Sequence, residues 1–233
     1  MFAPDNRQQI IDTTGFPYSA ICSLEILNSN DQKFFGTGFL AGPQLVVTAG
    51  HNVFFHGEGF MKSITVYPGL NGNRFQPIFR SATSRNFRSV EAWVSSIPNR
   101  QFDIGAIILP TKLGEDAGWF SISNFTDNTL TGLSVNVCGY PLHPPSTHVP
   151  RDASTAWIDS GRFSQVFHNQ LRYTIDTSVS QSGSPVFAYF PDLDDPYQAV
   201  GVHNTTYTQS NAATRFNDSI FETIIEWLDE SNG

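Results

Sequence analysis

The chain has 233 residues, enough for a substantial core, and its 15% charged content is low for a soluble domain while 20 Phe, 18 Gly and 14 Pro suit many short strands and turns. Thirteen basic against twenty-one acidic residues leave a net charge of −8, which offers no cationic face to a phosphate backbone or an anionic bilayer. No apolar run reaches the roughly 20 residues of a membrane helix, so neither nucleic acid nor a membrane is an expected partner.

Side chains alternate from Ser19 to Asn28, with Ala20, Cys22, Leu24 and Ile26 on one face and Ser23 and Glu25 on the other, the pattern of a half-buried strand. Further short strands are predicted at 38–40, 44–48, 63–67, 79–84, 104–109, 134–139, 156–159, 162–166, 171–176, 186–190, 199–203 and 213–216, separated by Gly, Pro, Asn and Asp turns. Only the carboxyl end reads as helical: Ile220, Phe221, Ile224, Ile225 and Leu228 form one stripe, and Ser219 with Glu222 has capping-box spacing. The polar stretch 121–132 divides the strands into two nearly equal sets, 1–120 and 121–233. Such a chain is all-β, a sandwich or barrels. Cys22 and Cys138 are too few for a disulfide framework and too distant for a CxxC motif, which leaves two buried thiols or one bridge between the halves.

Three stretches carry chemistry. GTGFLAGPQLVVTAGHNVF (36–54) runs a strand into His51, QFDIGAIIL (101–109) opens an apolar strand with Asp103, and QSGSPVF (181–187) places Ser182 and Ser184 around a glycine before another strand. A serine hydroxyl is a weak nucleophile until an imidazole takes its proton and a carboxylate fixes that imidazole's tautomer. A lone histidine or aspartate at a strand end is more often structural, and SGSP alone is no more than a turn. The order His, Asp, Ser, each with its own flanking pattern, is the specific signal.

With TAGH, FDIGAIIL and SGSPV, the sequence resembles the chymotrypsin-like serine endopeptidases over roughly residues 8–229. APDNRQQIIDTTGFPYSA, DTSVSQSGSPVF, GVHNTT and AATRFN resemble the glutamyl endopeptidases of the staphylococcal V8 type and their bacillary relatives. The resemblance implies two antiparallel six-stranded barrels with the catalytic residues in the cleft between them, and a carboxyl-terminal helix. It implies His51 as general base, Asp103 as its orienting partner and Ser182 as nucleophile, with Ser184 a turn residue and no cofactor or catalytic metal.

The oxyanion hole implied in this way uses the backbone N–H groups of Ser182 and Ser180. The family nearly always has glycine at the second position, because the backbone there takes a conformation that a β-carbon makes costly. The primary pocket would be walled by Asp176, Thr177 and the strand segment His203, Asn204, Thr205, Thr206, with Thr177 and His203 donating to a substrate Glu carboxylate. Asp176 supplies a rival, since it matches the aspartate that gives trypsin its Lys and Arg preference. Ser180 supplies another, a protease-fold binding protein with impaired turnover.

The resemblance further implies a secreted monomer acting on proteins and peptides. The opening MFAPDNRQQI lacks the charged-then-apolar order of a signal peptide, so the targeting segment is expected to have been removed or left out. Met1 also displaces the processed amino terminus that helps bind substrate in the V8 type. His56, His143, His148 and His168 fall at no zinc-ligand spacing, and DLDDP (192–196) reads as a solvated turn.

Overall fold

The computed structural model describes residues 4–95, 97–146, 148 and 151–233; Met1 therefore lies outside the described residues. Two large antiparallel sheets dominate. The first runs in the order Ala82–Ser84, Ser63–Pro68, Ile21–Leu27, Lys33–Leu40, Leu45–Thr48, Gly105–Ile108, Asn86–Ser89. Its two end strands are consecutive halves of one run interrupted at Arg85. The sheet therefore closes on itself through a bent strand, and six runs of chain make a barrel.

The second sheet joins Trp157–Val166, Ser134–Gly139, Pro185–Tyr189, Tyr197–Thr206, Asn211–Arg215 and Gln170–Tyr173. The last of these pairs back onto Trp157–Val166, again closing six strands. Closure leaves no free edge along the ring. Two short strands are appended: Gln8–Gln9 against Trp157 and Ile158, and Ser121–Ile122 parallel to Gln198 and Ala199. The architecture is all-β, two barrel-like sheets and one long terminal helix.

Alternation alone misplaces one side chain of the first strand. Ser23 is fully buried and donates to the Ala153 carbonyl at 2.8 Å, whereas Glu25 stays partly exposed and pairs with Lys33 at 2.9 Å. The face predicted to be polar is thus covered, and a hydroxyl survives there because it has an acceptor. The strands predicted at 156–159 and 162–166 are one, because Gly161 is not a turn. A Cβ there would lie 2.9 Å from Ile175 Cγ1, so the glycine admits a packed neighbour. Cys22 and Cys138 are free, buried thiols, and burial pushes both pKa values up.

The terminal helix is Asp218–Asn232, and its N-cap is Asn217, not Ser219. Asn217 has extended backbone and its Oδ1 accepts from Ile220 N at 3.0 Å, satisfying a first-turn donor. Ile220, Ile224 and Trp227 form the buried face. They pack against Leu45–Thr48 and Gly105–Ile108 of the first barrel, although the helix follows the last strand of the second.

Candidate active site

Strand Leu45–Thr48 ends at Ala49 and turns into a single helical turn, Gly50–Val53, which carries His51. Gly50 is required by contact: a Cβ there would fall 2.7 Å from Trp93 Cδ1. Asp103 precedes strand Gly105–Ile108, whose register pairs Gly105 with Thr48, so the carboxylate arrives beside the imidazole. Asp103 Oδ1 accepts from His51 N at 2.9 Å and Oδ2 lies 2.8 Å from Nδ1. An acceptor-only carboxylate at Nδ1 places the proton there and leaves Nε2 free to accept one. Burial opposes charging of His51, but the charge and hydrogen bond of Asp103 outweigh it and raise the pKa above its ordinary value.

Asn204, expected in the pocket wall, does part of its work behind the carboxylate. A register shift between His203 and Thr205 makes a bulge at Asn204, a device that re-aims a side chain. Its Nδ2 donates to the Asp103 carbonyl at 3.0 Å and to Thr214 Oγ1 at 2.7 Å. The second barrel thereby holds the Asp103 loop of the first.

Ser182 is tied to the first barrel through its carbonyl, which accepts from Thr37 N and from Asn52 Nδ2, both at 2.9 Å. Thr37 Oγ1 donates to the Ser180 carbonyl at 2.8 Å, and Thr48 Oγ1 donates to the Thr37 carbonyl at 2.7 Å. Thr37 and Asn52 are positioning residues that the sequence did not single out, although both lie inside the histidine motif. Gly183 has φ +93°, and a Cβ on it would lie 1.8 Å from the Thr37 carbonyl oxygen. Only glycine fits there. Among the described residues no hydrogen bond joins Ser182 Oγ to His51, a contact that substrate-free sites commonly hold long.

Ser180 adopts φ +75°, a left-handed conformation that costs a residue with a β-carbon about 1–2 kcal/mol. Its Oγ is buried without a partner. Neither Ser180 N nor Ser182 N donates a hydrogen bond among the described residues, and left-handed residues in turns are where successive N–H groups make anion-binding concavities.

His51, Ser180, Ser182, Thr177, His203, Asn204 and Thr206 share one cavity of about 580 Å³, with Phe34, Phe55, Met61 and Val179 as apolar wall. The Thr177 hydroxyl is buried and unpartnered. His203 Nδ1 lies 2.8 Å from Tyr173 OH, and burial lowers the His203 pKa to about 3 against an opposing hydrogen bond to the Ala212 backbone. Thr205 is buried and does not line the cavity, and neither does Asp176, whose Oδ2 accepts from Asn6 N at 3.1 Å.

A family profile described as Trypsin-like peptidase domain matches residues 36–189, from Gly36 to the end of strand Pro185–Tyr189. The chain belongs to the trypsin-like peptidase family. It is a serine endopeptidase of the chymotrypsin-like, glutamyl endopeptidase type. It is 32% identical to a protein named Glutamyl endopeptidase of Bacillus licheniformis over 229 residues, 96% of this chain and 67% of that one. It is 33% identical to a Bacillus subtilis protein named Extracellular metalloprotease over 227 residues, 97% of this chain and 69% of that one. A solved structure described as Glu endopeptidase in complex with MPD superposes with a TM-score of 0.82 at 26% identity, covering 97% of this chain and 98% of that chain.

The second of these names implies a metal, and among the described residues the side chains do not fit one. Among the described residues no three His, Cys, Asp or Glu side chains group as a metal site. Nor, among the described residues, is any helix long and apolar enough to cross a membrane.

Proposed function

We propose that this trypsin-like peptidase is secreted and cleaves peptide bonds after Glu, less well after Asp, through an acyl-enzyme on Ser182. The observation that carries the proposal is that Thr177, whose buried hydroxyl has no partner, lines the same cavity as His203, Ser182 and His51. A buried donor left without an acceptor costs about 1–3 kcal/mol, and a carboxylate from the substrate is the acceptor that would recover it.

His51 Nε2 takes the Ser182 proton as Oγ attacks the scissile carbonyl. Asp103 holds the Nδ1–H and stabilises the imidazolium. The N–H groups of Ser180 and Ser182 receive the oxyanion, where their alignment precedes the charge. His51 then protonates the leaving amine and activates the water that hydrolyses the ester. His51 and Asp103 come from residues 1–120, and Ser182, Thr177 and His203 from 121–233.

Burial raises the Tyr173 pKa well above 10, so the phenol keeps its proton and can donate to His203 Nδ1. His203 then carries its own proton on Nε2. Thr177 and the neutral His203 ring both line the pocket, and an arriving carboxylate raises the affinity of the imidazole for a second proton. The position of Asp176 outside the cavity lining supports Glu over Arg or Lys. The Bacillus subtilis relative's name, Extracellular, supports secretion.

The test is turnover of matched chromogenic peptides ending in Glu, Asp, Arg, Lys, Phe and Ala, with Ser182→Ala as the blank. Cleavage after Glu, lost in Ser182→Ala, is expected. Cleavage after Arg would return the pocket to Asp176. No turnover, with no fluorophosphonate labelling of Ser182, would favour the impaired binding protein that the left-handed Ser180 motivates.

A further inference from the structure

Arg7 is buried at the back of the nucleophile loop, and each of its five N–H groups is used. Nε and Nη2 grip Asp5 at 3.0 and 2.7 Å, Nη1 donates to Ser178 Oγ and Gln181 Oε1 at 2.9 Å each, and Nη2 donates to the His143 carbonyl at 2.9 Å. Gln181 Oε1 also accepts from Ser178 N at 2.9 Å. The guanidinium and the loop thus share one acceptor. Gln181 stands between Ser180 and Ser182, whose N–H groups were assigned above to the oxyanion.

Nothing in the chemistry of the triad needs this cation, yet burying one requires complete pairing and fixed geometry. The arginine sits where a constraint is required. Ser180 is held at φ +75° with its hydroxyl buried and unbonded, and such a conformation persists only where the surroundings over-determine it. Thr37 fixes the Ser180 carbonyl from one side of the loop, and Arg7 fixes Gln181 and Ser178 from the other. Two neighbouring contacts tie the same segments together: Asn6 N donates to Asp176 Oδ2, and Gln8–Gln9 pairs with Trp157 and Ile158.

We propose that Arg7 is a positioning residue for catalysis: its guanidinium clamps residues 178–181 so that Ser180, despite its β-carbon, keeps the left-handed conformation that presents its N–H to the oxyanion. This rests on the assignment of the Ser180 and Ser182 N–H groups made above. The amino-terminal segment is therefore a working part of the oxyanion loop, 171 residues or more away from it in sequence.

The experiment is a double-mutant cycle of Arg7→Gln and Ser180→Gly, read as kcat, KM and the rate of fluorophosphonate labelling, with a thermal melt of every variant. Losing an oxyanion donor outright costs about 10²–10³ in kcat, so loosening one by Arg7→Gln is expected to cost about 10–100-fold in kcat with KM within about 3-fold. In the Ser180→Gly background, where the left-handed conformation is free, the same substitution is expected to cost less than about 3-fold. Equal losses in both backgrounds, or a loss that follows only the unfolded fraction, would overturn the proposal.

If Arg7→Gln does not fold, Asp5→Asn loosens the grip and leaves the arginine in place. A drop in kcat of about 3–10-fold that vanishes with Ser180→Gly supports the clamp, and an equal drop in both backgrounds refutes it. Failure of the functional reading looks different. Turnover surviving in Ser182→Ala would remove the nucleophile, and preference for another residue would remove the Glu pocket while leaving the coupling between Arg7 and Ser180 measurable and unchanged.

Discussion

His51 and Asp103 are joined twice, backbone N–H to Oδ1 at 2.9 Å and Nδ1 to Oδ2 at 2.8 Å. The carboxylate therefore sets both the ring's orientation and its tautomer. Asp103→Asn keeps the shape but offers an amide that can donate toward Nδ1, which moves the ring proton to Nε2 and removes the base. A loss of about 10⁴-fold in kcat is expected, the size found for this exchange in a well-studied triad. Steady-state kinetics with the melting temperature unchanged within a few degrees is the check.

The same pair sets the pH dependence. The folded His51 pKa lies above its ordinary 6.5, and catalysis needs the neutral ring. Activity in kcat/KM is accordingly lost as pH falls through that raised pKa, and the acid limb should lie above 6.5. A limb centred below that value would mean that burial outweighs the Asp103 carboxylate at the imidazole.

Thr177→Val separates recognition from stability. It removes a buried hydroxyl that has no partner, so stability should rise by about 1 kcal/mol. Cleavage after Glu should fall roughly 10–100-fold in kcat/KM, because a site built to bond a polar group discriminates strongly against losing it. A peptide ending in Ala should change little. Urea titration and the two peptides measure both arms.

His203 predicts an acid instability. Its folded pKa is lowered to about 3 from 6.5, so the unfolded chain binds its proton first. The stability this neutral ring represents is whole above about pH 6.5 and is lost as pH falls toward 3, at up to about 1.4 kcal/mol per pH unit. His203→Gln should flatten that part of the stability curve, measured by denaturant titration at stepped pH. An unchanged slope would mean that the ring is protonated in the native pocket.

Gly183→Ala should cost roughly 2–5 kcal/mol, combining a left-handed backbone with overpacking against the Thr37 carbonyl 1.8 Å from the new Cβ. Circular dichroism melts compare it directly with Ser184→Ala. Ser184 Oγ has no partner, so that change should be mild.

Histidine, aspartate and serine were legible because each sits in a short apolar frame whose spacing survives in one dimension. Most of the longer strands were legible for the same reason, down to Ser134–Gly139 with its ends unchanged, but Asn86–Ser89, which closes the first barrel, was not predicted. Arg7, Thr37 and Asn52 carry no such frame. Their partners lie 171, 143 and 130 positions away, and a hydrogen bond across that distance leaves no periodicity. The bulge at Asn204 was hidden likewise, because HNTT reads as plain strand until the partner strand shows one residue too many. Ser180 was the exception: a turn needing glycine but holding serine flagged the strained position before any geometry was known.

The placement of the two chain ends has a consequence for durability. The amino-terminal pair Gln8–Gln9 belongs to the second barrel, and the carboxyl-terminal helix, continuous with that barrel, lies across the first. Each half lends its end to the other, like two hands clasped at the wrist. A single cut in the polar connector 121–132 would sever the chain without releasing either clasp. A nick there is therefore expected to leave the two barrels joined.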